Sequence, residues 1–226
     1  MKQYLVIPVL AFTFAACSSA PKPLWDRDPV FLSKDALATD QAIPPPPEPK
    51  SKADVADFRE LKSQQEHRTP KDCERASSEV QVSLETFFGP KYGPLTEAEV
   101  TKWNEFMTNV RIDTDYFVQR VKKHWKRPRP YIADSELTPC VKSEPTSAYP
   151  SGHAAIARVL AHVLAEIDPQ RKAAFERRAE VVARDRVLGG VHHPTDIDAG
   201  EKLGDEVFAL LQGNEHFKKD LAALPR

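Results

Sequence analysis

Beyond residue 50, apolar side chains recur at helical spacing over almost the whole chain. Val55, Phe58 and Leu61 share one face. Residues 73–89 carry a second helix, stopped by Gly89 and Pro90. Thr96 and Glu99 have the spacing of a capping box, which predicts the start of a third helix with Val100, Trp103, Met107 and Val110 on its apolar side. A fourth carries Phe117, Val121 and Trp125. It must end before Pro128 and Pro130, because proline lacks the N–H that an inner turn needs. Ile156, Val159, Leu160, Val163, Leu164 and Ile167 make one broad apolar face of a fifth. A sixth runs from about Pro169 to Leu188. The last starts at Thr195 as N-cap and carries Ile197, Leu203, Val207, Leu210 and Leu211. Alternating β-branched runs are few, and the chain has only 8 glycines. The expectation is a single-domain, all-α bundle of about seven helices over residues 51–226.

The first 50 residues read differently. Lys2 precedes a stretch from Tyr4 to Ala16 without a charge, and Cys17 follows. That stretch is too short to span a bilayer and has the proportions of a signal peptide over residues 1–16. Phe14, Ala15, Ala16 and Cys17 resemble a bacterial lipobox, with Phe14 in place of the usual Leu. The resemblance implies lipidation of Cys17 and a place in the bacterial envelope, at the outer membrane and facing the periplasm; an ordinary secretory signal is the alternative. Residues 17–50 read as a tether. Pro44, Pro45, Pro46, Pro47 and Pro49 make a semi-rigid spacer without helix capacity, so the folded domain is expected to begin near Ser51.

Charge narrows the function classes. Of 226 residues, 32 are Lys or Arg and 33 are Asp or Glu, a net charge of −1. No bulk basic surface for nucleic acid is expected, and any anion site must be local. Apart from Cys17, the cysteines are Cys73 and Cys140. In an oxidising compartment they fit one disulfide, with two buried free thiols as the alternative. No metal-finger spacing is present.

Three junctions collect the chemistry. Lys122, Lys123, Lys126, Arg127 and Arg129 form a basic helix end, which fits dipole complementation or, with prolines fixing the loop, an aimed arginine. Pro150, Ser151, Gly152 and His153 turn into a helix whose first amides form a ready anion site; a plain Ser151 cap with a surface His153 is the alternative. Arg186 precedes His192 by six residues, and Asp196 follows it by four. A carboxylate that accepts one ring N–H fixes the tautomer and frees the other nitrogen to attack. His193 is read as a surface histidine and His162 as a core one. Together the junctions supply cations, amide donors, an acid and an oriented nucleophile, which is what phosphoryl transfer needs.

With those residues in order, the chain resembles the type 2 phosphatidic acid phosphatase superfamily, and most of all its class A bacterial non-specific acid phosphatases. That superfamily also includes the vanadium haloperoxidases. Lys122 with Arg129 and Pro130 fits K-x6-R-P; residues 150–153 fit P-S-G-H; Arg186, His192 and Asp196 fit S-R-x5-H-x3-D. Asp185 departs from the pattern, standing where the family has Ser. The resemblance implies a phosphomonoester hydrolase that needs no metal or other cofactor. Lys122, Arg129, Arg186 and the amides of Ser151 and Gly152 would hold phosphate. His192 would be the nucleophile, Asp196 its orienting partner and His153 the acid for the leaving group. Vanadate is expected as an inhibitor, or as cofactor if the chain is a haloperoxidase. The implied substrate is a small phosphomonoester, with a lipid phosphate as alternative, and the membrane is reached through the N-terminal anchor. A non-catalytic phosphate-binding lipoprotein is the reading that Asp185 suggests.

Overall fold

The computed structural model describes residues 22–38 and 41–225. Residues 1–16 and Cys17, expected as signal and lipidation site, lie outside them. Among the described residues the regular structure is helical, with no strand. The helices are α1 (Lys52–His67), α2 (Pro70–Ser78), α3 (Leu84–Phe88), α4 (Glu97–Trp125), α5 (Pro130–Ala133), α6 (Gly152–Ile167), α7 (Lys172–Leu188), α8 (Pro194–Gln212) and α9 (Glu215–Ala223). None of them is long and apolar enough to cross a membrane.

The departures from the expected helices have local causes. The expected second helix breaks in two. Glu79 turns inward, fully buried, to meet Arg178 at 2.5 Å, and Ser83 then opens α3 in a reciprocal cap with Thr86. The expected third and fourth helices are one, α4, because no Gly or Pro interrupts residues 97–125. The Thr96–Glu99 capping box is present. α4 ends at Lys126 in the left-handed region, φ 50°, two residues before Pro128. α8 starts one residue before Thr195, with Pro194 in its first turn, where a fixed φ suits a helix start. Asn214 caps α9, which the apolar pattern did not reveal, by accepting from the amide of Phe217 at 2.9 Å.

α6 is the central helix, packed against α4, α7 and α8. It is buried on most sides rather than along one face, including Ala154, Ala155, Ala157 and Ala161. Close approach of α8 depends on glycine. A Cβ on Gly200 would stand 2.4 Å from the Ser151 carbonyl oxygen, and one on Gly204 would stand 2.8 Å from that of Ala155. The starts of α6 and α8 are thereby held together, and those starts carry His153 and Asp196.

The N-terminal segment corrects the expected domain boundary. Phe31, Leu32, Ala42 and Ile43 are buried in the main core. Each large apolar side chain so removed from water contributes about 1.5–3 kcal/mol. The amides of Val30, Phe31 and Leu32 donate to the buried carboxylate of Asp113 at 3.0–3.1 Å. Tyr149 donates its hydroxyl proton to the carbonyl of Pro44. Residues 30–38 and 41–44 are therefore part of the folded body and not a spacer. Their few apolar side chains are too sparse to form a periodic pattern. Cys73 on α2 and Cys140 are bridged, with Cα atoms 5.7 Å apart, which ties the loop after α5 to the helical body.

Candidate active site

Five pieces of chain meet at one cleft. The end of α4 delivers Lys122, and the left-handed turn at Lys126 swings the next residues inward, so that Arg127 and Arg129 are both buried. The loop after α5 brings Glu144. The first turn of α6 brings Gly152 and His153, and the last turn of α7 brings Arg186. After α7, Gly190 adopts φ 78°, a conformation that costs a side-chain-bearing residue strain, and turns the chain so that His192 faces back.

Arg129 is fully engaged. Nε donates to the Thr146 carbonyl at 2.8 Å, and Nη2 to Thr146 Oγ1 at 3.0 Å and Glu144 Oε2 at 2.8 Å. Nη1 donates to the Val191 carbonyl and to His192 Nε2, both at 2.8 Å. Since the guanidinium only donates, His192 Nε2 carries a lone pair and the ring proton sits on Nδ1, 3.3 Å from Asp196 Oδ2. Burial, then the charge of Arg129, pushes His192 well below the usual histidine range, so the ring is neutral. Burial alone would raise Asp196. The hydrogen bonds from His192 and His193 override it and hold the carboxyl well below the usual range.

Arg127 does not join the anion donors. Its Nη1 donates to Asp196 Oδ1 at 2.7 Å and to Thr195 Oγ1 at 2.8 Å, and its Nη2 to Asp57 Oδ2 at 2.9 Å. It anchors Asp196 from behind. Asp57, on α1, was not singled out from the sequence; its signal was a charge one position from Phe58 on a buried helix face.

His193 corrects its sequence reading. It is buried, packs edge-on against Phe58 with ring centroids 5.3 Å apart, and places Nδ1 3.1 Å from Asp196 Oδ2. Asp196 therefore stands behind both adjacent histidines. What separates them is the contact of His192 Nε2 with Arg129. His162, read as a core histidine, is partly exposed and pairs with Asp205 at 2.7 Å, far along α6.

His153 is buried, against the surface alternative. Its Nε2 lies 3.1 Å from the Glu79 carbonyl, so Nε2–H donates there and Nδ1 is left for chemistry. Burial, and next the charge of Arg186, pushes its pKa down to about 3. Glu79 reaches this place because of the break between α2 and α3. Ser151 also differs from expectation. Its amide donates to the Asp196 carbonyl at 2.9 Å and its side chain caps the amide of Ala154. The first-turn amides left over are those of Gly152 and His153.

Lys122 is buried, and its ammonium donates to the carbonyls of Ser147 and Ala148. Burial, then the nearby Arg129, pushes it down to about 7. Arg186 is wholly buried, with Nη2 on Glu144 Oε1 at 2.8 Å. Asp185, one residue away, points elsewhere. It accepts from Arg75 Nε at 2.6 Å and Nη2 at 2.7 Å, which neutralises it against α2. The cleft measures about 400 Å³. Lys122, Glu144, Gly152 and His153 line it, together with apolar Trp25, Val80 and Ile156.

This arrangement gathers buried cations and helix-start amides around a neutral, oriented imidazole. Residues 109–206, which contain every motif side chain, match the model of the PAP2 superfamily. A non-specific acid phosphatase of Salmonella typhi is 30% identical over 207 residues, which cover 89% of this chain and 75% of that protein. The chain belongs to the PAP2 superfamily. A second non-specific acid phosphatase, from Salmonella typhimurium, is 32% identical over 157 residues, covering 66% of this chain and 63% of its own. The fold is similar to that of a solved structure, described as the first bacterial vanadium-dependent iodoperoxidase. It superposes with a TM-score of 0.60 at 17% identity, over 79% of this chain and 54% of that one. Within this PAP2 chain, Lys122, Arg129, Gly152, His153, Arg186, His192 and Asp196 converge. The Ser151 amide is diverted to Asp196.

Proposed function

We propose that this protein is a phosphomonoester hydrolase that works through a phosphohistidine on His192. The observation that carries the reading is the lone pair of His192 Nε2, fixed by Asp196 on one side and aimed at Arg129 on the other. The relatives named acid phosphatase support the reaction class.

Lys122, Arg129 and Arg186, with the amides of Gly152 and His153, hold the phosphoryl oxygens. His192 Nε2 attacks phosphorus in line. The bond from phosphorus to the ester oxygen breaks, and the departing alkoxide takes the proton from His153 Nδ1. Water then attacks the phosphohistidine and returns a proton to His153, and phosphate leaves. Fixed donors aimed at developing charge do most of the work, with no reorganisation during the step. A positioned acid adds about 10²–10⁴-fold. Asp185, held by Arg75, does not poison the cradle, which removes the motive for a non-catalytic reading. Vanadate fits as an inhibitor at the same donors.

Titration sets the working pH. With pKa values pushed down to about 3 and about 7, His153 gains its proton and Lys122 keeps its own only as pH falls. Arrival of a phosphate dianion raises both. Hydrolysis of an alkyl phosphate, whose leaving group needs the proton, is therefore expected to fall as pH rises from acid through neutral. Hydrolysis of a nitrophenyl phosphate should fall less steeply. Phosphate release from both esters, measured from pH 4 to 8 with chelator present, tests the reading. No turnover of either overturns it, and identical pH profiles overturn the role of His153.

The N-terminus completes the proposal. Cys17 is the site of lipidation and holds the enzyme in the bacterial envelope. Cys17→Ser should move the protein from the membrane to the soluble fraction; equal membrane association of variant and wild type would refute the anchor.

A further inference from the structure

Glu144 belongs to none of the three motifs, yet it sits at their centre. Its Oε2 accepts from Arg129 Nη2 and its Oε1 from Arg186 Nη2, each at 2.8 Å. One carboxylate thus bridges two arginines that come from different parts of the fold. The main chain at this position is held by Tyr131, whose hydroxyl donates to the Glu144 carbonyl at 3.0 Å and accepts from its amide at 3.3 Å. Burial would raise the Glu144 carboxyl. The charges of Arg129 and Arg186 outweigh it and keep the group ionised.

The fit of this carboxylate is incomplete. Arg186 is fully buried, and its Nε and Nη1 meet no partner among the described residues. A buried guanidinium with two idle donors is costly. A carboxylate offers two oxygens in a plane, whereas a phosphoryl group offers three, spread in space. The cradle therefore suits an anion larger than the one Glu144 supplies. The Glu144 side chain is also the most exposed member of the cluster, at 26%, against 0% for Arg186 and 3% for Arg129. It is the member with room to withdraw toward the mouth of the cleft.

We propose that Glu144 is an internal counter-anion that competes with phosphate for Arg129 and Arg186. It leaves the cradle when the phosphoryl group enters and returns as product departs. It thereby weakens binding of free phosphate and limits inhibition by product. This inference rests on the reading that the cradle binds phosphate. An apparent affinity is reduced by the fraction of protein competent to bind, so a plug in place nine-tenths of the time weakens phosphate binding about tenfold.

The test uses Glu144→Gln, which keeps the size and removes the charge, and Glu144→Ala, which removes the group. Thermal unfolding first establishes that each variant is folded. Dissociation constants for inorganic phosphate are then measured by calorimetry at pH 6, and product inhibition is measured against nitrophenyl phosphate hydrolysis. Both variants are expected to bind phosphate about tenfold more tightly than wild type and to be inhibited by correspondingly less of it. Weaker or unchanged binding in both variants, with wild type binding phosphate normally, overturns the competitor role alone; weaker binding would make Glu144 a positioning residue for the arginines. Absence of phosphate binding in wild type and variants alike overturns the phosphate cradle and this inference with it.

Discussion

Turnover in a His192→Ala variant is expected to drop by about 10⁴-fold or more, the scale seen when a nucleophile is removed, while vanadate or phosphate still binds. The cations that hold the anion are separate side chains, so binding and chemistry come apart. His193→Ala is the control and should keep most of its activity. Both rings place Nδ1 within reach of Asp196 Oδ2, at 3.3 and 3.1 Å, so proximity to the carboxylate does not distinguish them. Only His192 presents its second nitrogen to Arg129. His193 instead packs on Phe58, an aromatic contact worth about 0.5–1.5 kcal/mol, so its loss should appear in thermal stability rather than in rate. Acid-labile phosphate trapped on the enzyme during turnover should map to His192. A dead His193→Ala beside an active His192→Ala would falsify the assignment of the nucleophile.

Asp196→Asn is expected to cost about 10³–10⁴-fold in kcat, comparable to the same change in a Ser-His-Asp triad, with little loss of fold. The carboxylate accepts on both oxygens. Oδ2 takes the His193 amide at 2.8 Å and the two ring N–H groups, and Oδ1 takes Arg127 at 2.7 Å. An amide has one acceptor and one donor end. If its NH₂ faces Arg127, two donors oppose each other. If it faces the rings, His192 is driven to the tautomer with Nε2 protonated, and the lone pair is gone. Arg127 keeps Asp57 and Thr195, so no uncompensated buried charge is left to unfold the site. Steady-state kinetics beside a thermal melt separates the two effects; a variant retaining wild-type kcat would remove Asp196 from the mechanism.

The parts of this site that were legible in the sequence are those with fixed spacing inside one segment. Lys122 with Arg129, the turn at Ser151 and Gly152, and the triplet Arg186, His192 and Asp196 each lie on one helix end and its adjoining loop. Local geometry alone brings each set to one side. Helix content was legible for the same reason, since the apolar period is local. Partners from distant segments were not legible. Glu144 comes from an irregular loop without period. Asp57 comes from α1, 70 residues before Arg127 in the chain. The Glu79 carbonyl reaches His153 only because the chain breaks between α2 and α3. Glu79 also forms a buried pair with Arg178, whose Nε donates to the Phe87 carbonyl at 2.6 Å. The merging of two expected helices into α4 was hidden by the stretch between Val110 and Phe117, where Asp113, Thr114 and Asp115 take buried positions that an apolar pattern does not show.

Packing of residues 30–38 and 41–44 against the helical body shortens the tether that the proposed anchor at Cys17 would leave free. With Pro44 bonded to Tyr149 and Phe31 in the core, the proline run connects two parts of the folded body instead of lifting it. Trp25 stands at the rim of the cleft, half exposed. From an anchored Cys17 to Trp25 the leash is eight residues, 25 minus 17. At 3.3–3.6 Å per residue it reaches about 28 Å at full stretch. Under the proposed anchoring at Cys17, the mouth of the cleft would be confined to a shell about one bilayer thick above the lipid surface. Substrates sampled there would be those enriched near the membrane, and encounter would become a search across a surface rather than through the volume of the compartment.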